Sequence, residues 1–457
     1  MAIRIYNTLT RRKEDFVPMT PGVVNMFVCG PTVYDYSHLG HAKTYTHFDF
    51  VARYLKKRGY AVTYAQNITD IDDKIISRAN ELGMDPGELA EKYEALYLAD
   101  MAALHNDNVD IFARARDYID AIVAQVQTLI ERGHAYQLDD GWYFDLSTFP
   151  GYGKLSGRTE VQPEDAQSRV DEHPGKRNPG DFALWKARKP GEPYWDTPLG
   201  EGRPGWHIED TAITESLFGP QYDLHGGAVD LIFPHHEAEV TQMEAASGKE
   251  PMVRYWMHGG FLRVDGNRMG KSLGNATTIS GFLQVVDVRT LRYAFLSQHY
   301  RTSIELSEVT LDNARSARRR VENFARSIDS SAPESPSAVT LADAARARFF
   351  ERLDDDFDAP GALAALFDYI RDQNRSGEKP GLAAYDLVQE VEELFDAFDL
   401  EEHKGDDAAI EGELEQRRAL RAARQFAEAD AVRDSLQARG IVIEDTPDGT
   451  RWWYEER

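Results

Sequence analysis

Cysteine is almost absent: Cys29 is the only one in 457 residues. An internal disulfide is therefore excluded, and the residue is either inert filling or present for its thiolate. The N-terminal segment MAIRIYNTLTRRKEDF has no apolar signal core. Together these features point to a reducing cytoplasm. Long apolar runs are also missing; none approaches 18 residues, so nothing is expected to span a membrane. Basic charge is scarce, with 52 Lys and Arg against 77 Asp and Glu, a net charge of −25. Lysine is scarcer still, 14 against 38 arginines. The acids are spread along the chain. A diffuse acidic surface poor in lysine suggests adaptation to high salt, where self-repulsion is screened; an ordinary acidic cytosolic protein fits the same counts. Default binding to nucleic acid is disfavoured, so any such binding must use local arginine clusters. Apolar residues are not lacking. At 42% they suffice for real cores, and the length suits two to four domains.

The first third alternates strand and helix. Val23–Cys29 reads as a short apolar strand. His41–Arg58 carries Tyr45, Phe48, Val51, Ala52 and Leu55 at helical spacing, and Gly59 closes it. Tyr60–Ile68 is a second strand. A β-α-β order with a crossover helix implies parallel strands. Helices are expected over Asp72–Leu82, over Pro86–Leu104 with Asp85 as N-cap, and over roughly Arg114–Arg132. Residues 134–205 are punctuated by Gly and Pro and read as an insertion of short strands and turns. The strand-helix pattern resumes with YDLHGG (222–227), VDLIFP (229–234), a helix from His235, and VRYWMHGGF (253–261). From about Ile304 the chain reads as almost wholly helical, with a linker at Ser327–Thr340 and a weak point at 401–409. The final 45 residues read as a small helix-plus-strand unit.

Cys29 lies at the end of an apolar run, ahead of His38-Leu39-Gly40-His41. In α/β sheets, ligands bind at the carboxyl ends of strands, and a helix N-terminus suits phosphate. Gly40 removes a side chain where a flat base could lie. The two imidazoles can donate to oxygens that gain charge as pyrophosphate leaves; two capping histidines would give the same pattern. A second element is Asn267-Arg268-Met269-Gly270-Lys271-Ser272-Leu273-Gly274-Asn275, a glycine-rich loop with one compact cation at Lys271. It is not a Walker A loop, and alone it could be a surface turn. The third is His235 and Glu239, four apart on one helix face, a chelating pair for zinc. A salt-bridged His-His-Glu at a helix start fits the same spacing.

The pairing of His-x-Gly-His with a later Met-x-Lys-Ser loop resembles the signatures of class I aminoacyl-tRNA synthetases. The segments CGPTVYDYSHLGHA, NITDIDDKI, RNPGDFALWK, GRPGWHIE, DLHGG, DLIFPHHE, YWMHGGF and KSLGN, with the tail FAEADAVRDSLQARGIVIEDTPDGTRW, resemble the cysteinyl-tRNA synthetase family over the whole chain. The resemblance implies an α/β fold: a Rossmann-like parallel-sheet catalytic domain with an inserted subdomain, then a helical stem and a C-terminal helical tRNA-binding domain. Its expected parts are 1–133 and 206–300 for the two catalytic halves, 134–205 for the insertion, 301–400 for the stem and anticodon-binding region, and 401–457 for a small terminal unit.

The activity so implied is ATP-dependent ligation of L-cysteine to tRNA(Cys) through a cysteinyl-adenylate, with Mg2+ accompanying ATP, in a cytoplasmic monomer. By resemblance, His38, His41, Lys271 and Ser272 are catalytic. Gly40, Gly226, Gly227, Asp230, Arg268 and Lys271 contact ATP, with Gly226 and Gly227 facing adenosine and Asp230 the ribose. Gly30, Thr69 and Trp206 line the amino-acid pocket. Family zinc is held by two Cys, one His and one Glu. Cys29, His235 and Glu239 match, while Asp210 stands where the second cysteine falls. Three readings follow: zinc bound by Cys29, Asp210, His235 and Glu239; zinc bound by three ligands with Asp210 outside them; or the metal lost. The loop departs from Lys-Met-Ser-Lys-Ser by Arg268 and Gly270. A thiolate-demanding zinc separates cysteine from serine, so no editing domain is expected. For tRNA, the arginines 315, 318, 319 and 320, and 417, 418, 421 and 424, are candidates, with Arg421, Arg424 and Trp452 foremost; solvated helix faces and a core Trp452 are the plain alternatives. Other readings of the whole are a cysteine-activating ligase that transfers to a small amine, and a non-catalytic tRNA-binding paralogue.

Overall fold

A computed structural model describes residues 2–158, 173–264, 267–268, 277–331, 333–400, 407–446 and 449–454. The chain divides into two compact units. One holds residues 1–282, 294–310 and 345–366, and the other holds 283–293, 311–344 and 367–457.

At the centre of the first unit is a five-stranded parallel sheet. Its order is Val253–Gly259, Tyr222–Ala228, Val23–Val28, Ala61–Ile68, Ile111–Arg114. The strands are dense in β-branched and aromatic residues because helices cover both faces of such a sheet. Val23–Val28 is central in space but first in sequence. The chain runs outward from it to one side through Ala61–Ile68, then returns to its other side with Tyr222–Ala228. A crevice therefore opens at its carboxyl end, which is where Cys29 emerges.

The first crossover helix spans Leu39–Lys57, starting two residues before the expected His41. The reason is local: the imidazoles of His38 and His41 form a reciprocal cap, so the helix begins between them. Phe48, Val51, Ala52 and Leu55 are buried, as their spacing requires. Asp72 and Asp85 cap the helices Asp73–Leu82 and Pro86–Ala103. The helix expected from Arg114 starts only at Ile119. Ile111–Arg114 instead forms the edge strand, and a 3-10 turn follows over Ala115–Tyr118. VDLIFP is likewise not a strand, since Val229–Ile232 is a 3-10 turn that delivers the chain into the helix His235–Ser247.

The insertion contains a four-stranded antiparallel sheet ordered Ala135–Leu138, Gly141–Phe144, Ala183–Ala187, Gly202–Pro204. Gly202–Pro204 leads straight into the helix Trp206–Phe218. Ile304–Leu306 pairs in parallel with Leu262–Val264, so the later chain is not helical from its start. The expected linker at Ser327–Thr340 is shorter, because a helix already starts at Pro336. In the second unit, the helices Asp407–Ala422 and Phe426–Ala438 pack on an antiparallel hairpin, Ile441–Thr446 with Gly449–Tyr454. Their small core is Ile410, Leu414, Leu436, Ile441 and Ile443. No described helix is long and apolar enough to cross a membrane.

Candidate active site and metal centre

Cys29 follows the central strand, with its backbone N–H bonded to the Gly226 carbonyl at 3.0 Å. Two helices bring the other donors to it. Asp210 comes from the start of the second turn of Trp206–Phe218, and His235 and Glu239 from the first two turns of His235–Ser247. Asp210 Oδ2 lies 3.0 Å from Cys29 Sγ, and His235 Nε2 lies 3.1 Å from the same oxygen. Glu239 Oε1 sits 3.0 Å from His235 Nε2 and 3.9 Å from the sulfur. All four donors fall within 4.8 Å of one another, and all four residues are buried.

The surroundings fix these donors. His207 and His235 meet Nδ1 to Nδ1 at 2.7 Å, which orients the His235 ring. Asn67 Nδ2 donates to Asp210 Oδ1 at 2.6 Å. Trp206 stacks on His235 at 4.0 Å between ring centres. His225 and His236 also point at the cluster. His236 Nε2 is 3.3 Å from Cys29 Sγ, and His225 Nε2 is 3.6 Å from Glu239 Oε2.

The charge balance of the cluster favours a cation. Burial, then Asp210 and Glu239, push the Cys29 thiol up. Burial opposes charge on His235, but Glu239 and Asp210 outweigh it and raise its pKa to about 9. Burial raises Glu239 to about 7 against the pull of His235. The cluster thus holds on to protons to offset its own negative charge. Glu239 Oε2 is buried with no hydrogen-bond partner. A soft thiolate, an imidazole and two carboxylates suit zinc. Bonds of about 2.0–2.3 Å place tetrahedral ligand atoms about 3.3–3.8 Å apart, and the donor spacings of 3.0 to 3.9 Å bracket that range. The residues present, Asp210 included, fit the metal.

The residues expected to line the amino-acid pocket lie beside this cluster. Thr69 is buried and accepts from Asn67 Nδ2 at 3.2 Å. Gly30 donates its N–H to Asn67 Oδ1 at 2.5 Å, and a Cβ there would fall 1.7 Å from the Asn67 carbonyl oxygen. Glycine is thus needed for the close approach of two backbones, whatever the ligand. Glu209, next to Asp210, is fully buried with neither carboxylate oxygen hydrogen-bonded.

In the His-x-Gly-His segment, His38 Nδ1 accepts from Gly40 N at 3.1 Å and His41 N at 3.4 Å, and His41 Nδ1 accepts from His38 N at 3.3 Å. The rings stack 3.9 Å apart. Capping therefore occupies both Nδ1 atoms. A Cβ on Gly40 would meet the His38 ring at 2.8 Å, so this glycine makes room for the imidazole and not for a base. Gly226 and Gly227 are similarly filled, by Phe48 and His236. Asp230 is exposed on the 3-10 turn. Lys271 and Ser272 lie outside the described residues, as does the side chain of Arg268. The segment that follows the loop does return to the site: Leu39 N donates to Thr277 O and Ile279 N to Ser37 O, each at 3.1 Å.

Two arginines expected to face nucleic acid, Arg318 and Arg417, are buried. Arg318 is buried and bonded to Ala397 O, Asp287, Thr290 and Glu322. Arg417 is buried in a bidentate pair with Asp445, 2.8 Å on both arms, and Arg421 joins the same carboxylate. Arg315 pairs with Asp312, Arg418 with Glu415, and Arg319 with Ser316, while Arg320 lies over the Phe367 ring. Trp452 is half-buried against the terminal core and donates Nε1–H to Glu411 at 2.8 Å, so its indole is not an exposed platform. Arg424 is exposed, at φ 60°.

His207, His225, His236, Asn67 and Glu209 carry no sequence signal of their own beyond lying in matched segments. Only the meeting of two helices with the strand ends reveals them.

Comparison with known proteins places this arrangement. Residues 15–316 match the family described as tRNA synthetases class I (C) catalytic domain, 348–398 a DALR domain, and 404–452 the cysteinyl-tRNA ligase anticodon binding domain. The chain is 46% identical to a cysteine–tRNA ligase of Thermococcus onnurineus over 99% of both chains. It is 46% identical to that of Alkalilimnicola ehrlichii over 99% of this chain and 100% of the relative. Among solved structures, Mycobacterium tuberculosis methionyl-tRNA synthetase bound to methionyl-adenylate aligns with a TM-score of 0.59 at 17% identity, covering 77% of this chain and 83% of that one. LeuRS of Agrobacterium radiobacter, in a ternary complex with tRNA and LeuAMS, aligns at 0.60 and 12% identity, over 83% and 84%. At those identities the likeness is one of fold.

Proposed function

This chain belongs to the cysteine–tRNA ligase family, and we propose that the buried cluster around Cys29 is where it selects its amino acid. The protein is an enzyme that ligates cysteine to tRNA at the expense of ATP. The observation that carries the site reading is the donor set itself: one thiol, one imidazole and two carboxylates, all buried within 4.8 Å at the carboxyl end of the central strand.

Cys29, Asp210, His235 and Glu239 hold the zinc. Bound there, zinc supplies a Lewis acid that favours a substrate thiolate over the hydroxyl of serine. Cysteine and serine differ by one atom, which an ordinary pocket separates poorly. Trp206, fixed by its stack on His235, walls the pocket, and Thr69 and Gly30 complete it. ATP, accompanied by Mg2+, lies along the opening of the Leu39–Lys57 helix. There Gly40 and the Nε2 edges of His38 and His41 meet the phosphates, and Arg268, Lys271 and Ser272 supply positive charge and a hydroxyl donor to them. Gly226 and Gly227 floor the adenosine site, and Asp230 accepts from the ribose hydroxyls. The cysteine carboxylate attacks the α-phosphorus in line and pyrophosphate leaves. The tRNA terminal hydroxyl then takes the aminoacyl group from cysteinyl-adenylate. No protein nucleophile is required; the chain's work is positioning and charge stabilisation.

The anticodon-binding family match over 404–452 speaks against transfer to a small amine. Arg424 remains the foremost tRNA candidate there. The working state is a cytoplasmic monomer acting on tRNA(Cys).

The test is ATP–pyrophosphate exchange with cysteine and with serine, with metal analysis of the same sample. Thiol-selective exchange with about one zinc per chain is expected. Exchange supported equally by serine, or thiol selectivity in metal-free protein, overturns the reading. Lys271→Ala should cut exchange by about 100-fold or more while tRNA binding persists.

A further inference from the structure

The same pocket contains a second set of donors that overlaps the first. Cys29, His225, His236 and Glu239 also place one ligand atom each within 4.8 Å of the others. All are buried. We propose that His225 and His236 are metal-ligating residues in this chain, forming with Cys29 and Glu239 a second position for a zinc-class divalent cation. The inference rests on the metal reading above.

Three observations carry it. First, His225 Nε2 and Glu239 Oε2 are both fully enclosed and both lack a hydrogen-bond partner. They face each other at 3.6 Å, too far for a hydrogen bond and close to the edge of a tetrahedral ligand shell, about 3.3–3.8 Å. Second, His236 Nε2 lies 3.3 Å from Cys29 Sγ and 4.0 Å from Glu239 Oε1. Third, each ring is aimed by a bond on its other nitrogen. His225 Nδ1 meets the Tyr222 hydroxyl at 2.7 Å, and His236 Nδ1 meets His258 Nε2 at 2.8 Å, which is in turn held by Thr8 at 2.8 Å. Such outer bonds are how proteins fix an imidazole for a metal.

The two positions share Cys29 and Glu239. Glu239 Oε1 lies 3.0 Å from His235 Nε2, and Oε2 lies 3.6 Å from His225 Nε2. The first position takes one imidazole and one further carboxylate; the second takes two imidazoles. Imidazole is a softer donor than carboxylate and suits zinc at least as well. Asp210 gives the first position a carboxylate where a thiolate would hold zinc more tightly. A single ion can therefore occupy either set.

The experiment uses the full-length protein with Asp210→Asn and His235→Gln combined, near-isosteric changes that weaken both ligands unique to the first position. Zinc per chain is measured after dialysis, and imidazole ligands are counted by zinc K-edge X-ray absorption, with circular dichroism checking the fold. Parent protein with zinc, and a folded double variant that keeps about one zinc bound by two imidazoles, support the proposal. Adding His225→Gln should then lower zinc affinity by 10-fold or more. Loss of zinc from the folded double variant overturns the second position, as does a count of one imidazole or indifference to His225→Gln. If the double variant does not fold, His225→Gln with His236→Gln in the parent background decides. Cadmium titrated into parent protein should then show two imidazole nitrogens in its nuclear or absorption spectrum that the variant loses, and an unchanged spectrum overturns the proposal. Parent protein without any zinc would instead sink the metal reading on which both positions stand.

Discussion

Asn67 ties Asp210 to the backbone beside Cys29: its Nδ2 donates to Asp210 Oδ1 at 2.6 Å, and its Oδ1 accepts from Gly30 N at 2.5 Å. One amide thus links a carboxylate from a helix to the backbone at a strand end. Asn67→Ala should weaken zinc binding by about 10–100-fold with little loss of folded protein. Competition against a chromogenic chelator measures it, and unchanged affinity would show that Asp210 needs no such support.

Cys29 is the only sulfur the protein brings to the centre. Cys29→Ser should lower zinc affinity by about 100-fold or more and erode cysteine-over-serine selectivity in exchange assays. The opposite change is also informative. Asp210→Cys should tighten zinc by about 10-fold or more, because a thiolate is the better ligand. If Asp210→Cys binds zinc no better, the carboxylate is already as good a donor as the site can use.

Lys43 is buried with its ammonium on the carbonyls of Gly260 and Tyr300, at 2.6 and 3.0 Å. Burial pushes its pKa down to about 7. Between that value and the unfolded one near 10.4, the unfolded chain binds a proton that the folded chain does not. Stability contributed by this residue therefore rises with pH across that window. The slope is at most roughly 1.4 kcal/mol per pH unit. Urea midpoints at several pH values, with Lys43→Met as the control, should show a rise in the parent that the variant lacks. Parallel curves would remove Lys43 from the account.

The terminal unit separates a structural arginine from a candidate tRNA contact. Arg417→Ala should destabilise it by roughly 1–2 kcal/mol, allowing for the partly exposed Asp445. The Arg417 hydrogen bonds hold Asp445 well below the usual carboxylate range. The pair's contribution is thus present above the ordinary carboxylate pKa and lost as pH falls through the depressed one. Arg424→Asn keeps a residue that tolerates positive φ. It should leave stability unchanged and raise KM for tRNA by about 3–10-fold. A Tm shift for Arg424→Asn without a KM effect would reverse the two assignments.

The parts of the site legible in the sequence are those coded within one element. His235 and Glu239 share a helix face by spacing, and Cys29 closes an apolar strand. Asp210 was reachable only through family resemblance. His225 and His236 sit in the same motifs, but their aim depends on sheet register, which places His225 opposite both Phe27 and Trp256. The apolar run Val229–Pro234 has strand composition yet lies outside the sheet, where the chain must turn into the next helix. Arg318 and Arg417 look like solvated charges in sequence because their partners, Asp287 and Asp445, are distant along the chain.

The pairing of Ser37–Leu39 with Thr277–Ile279 has a practical meaning for motion. Two amide protons, on Leu39 and Ile279, are each locked by the opposite segment. They form a natural latch indicator between the two signature regions. If those regions part during the catalytic cycle, both protons should exchange with solvent together, and saturating ATP should slow both by the same factor.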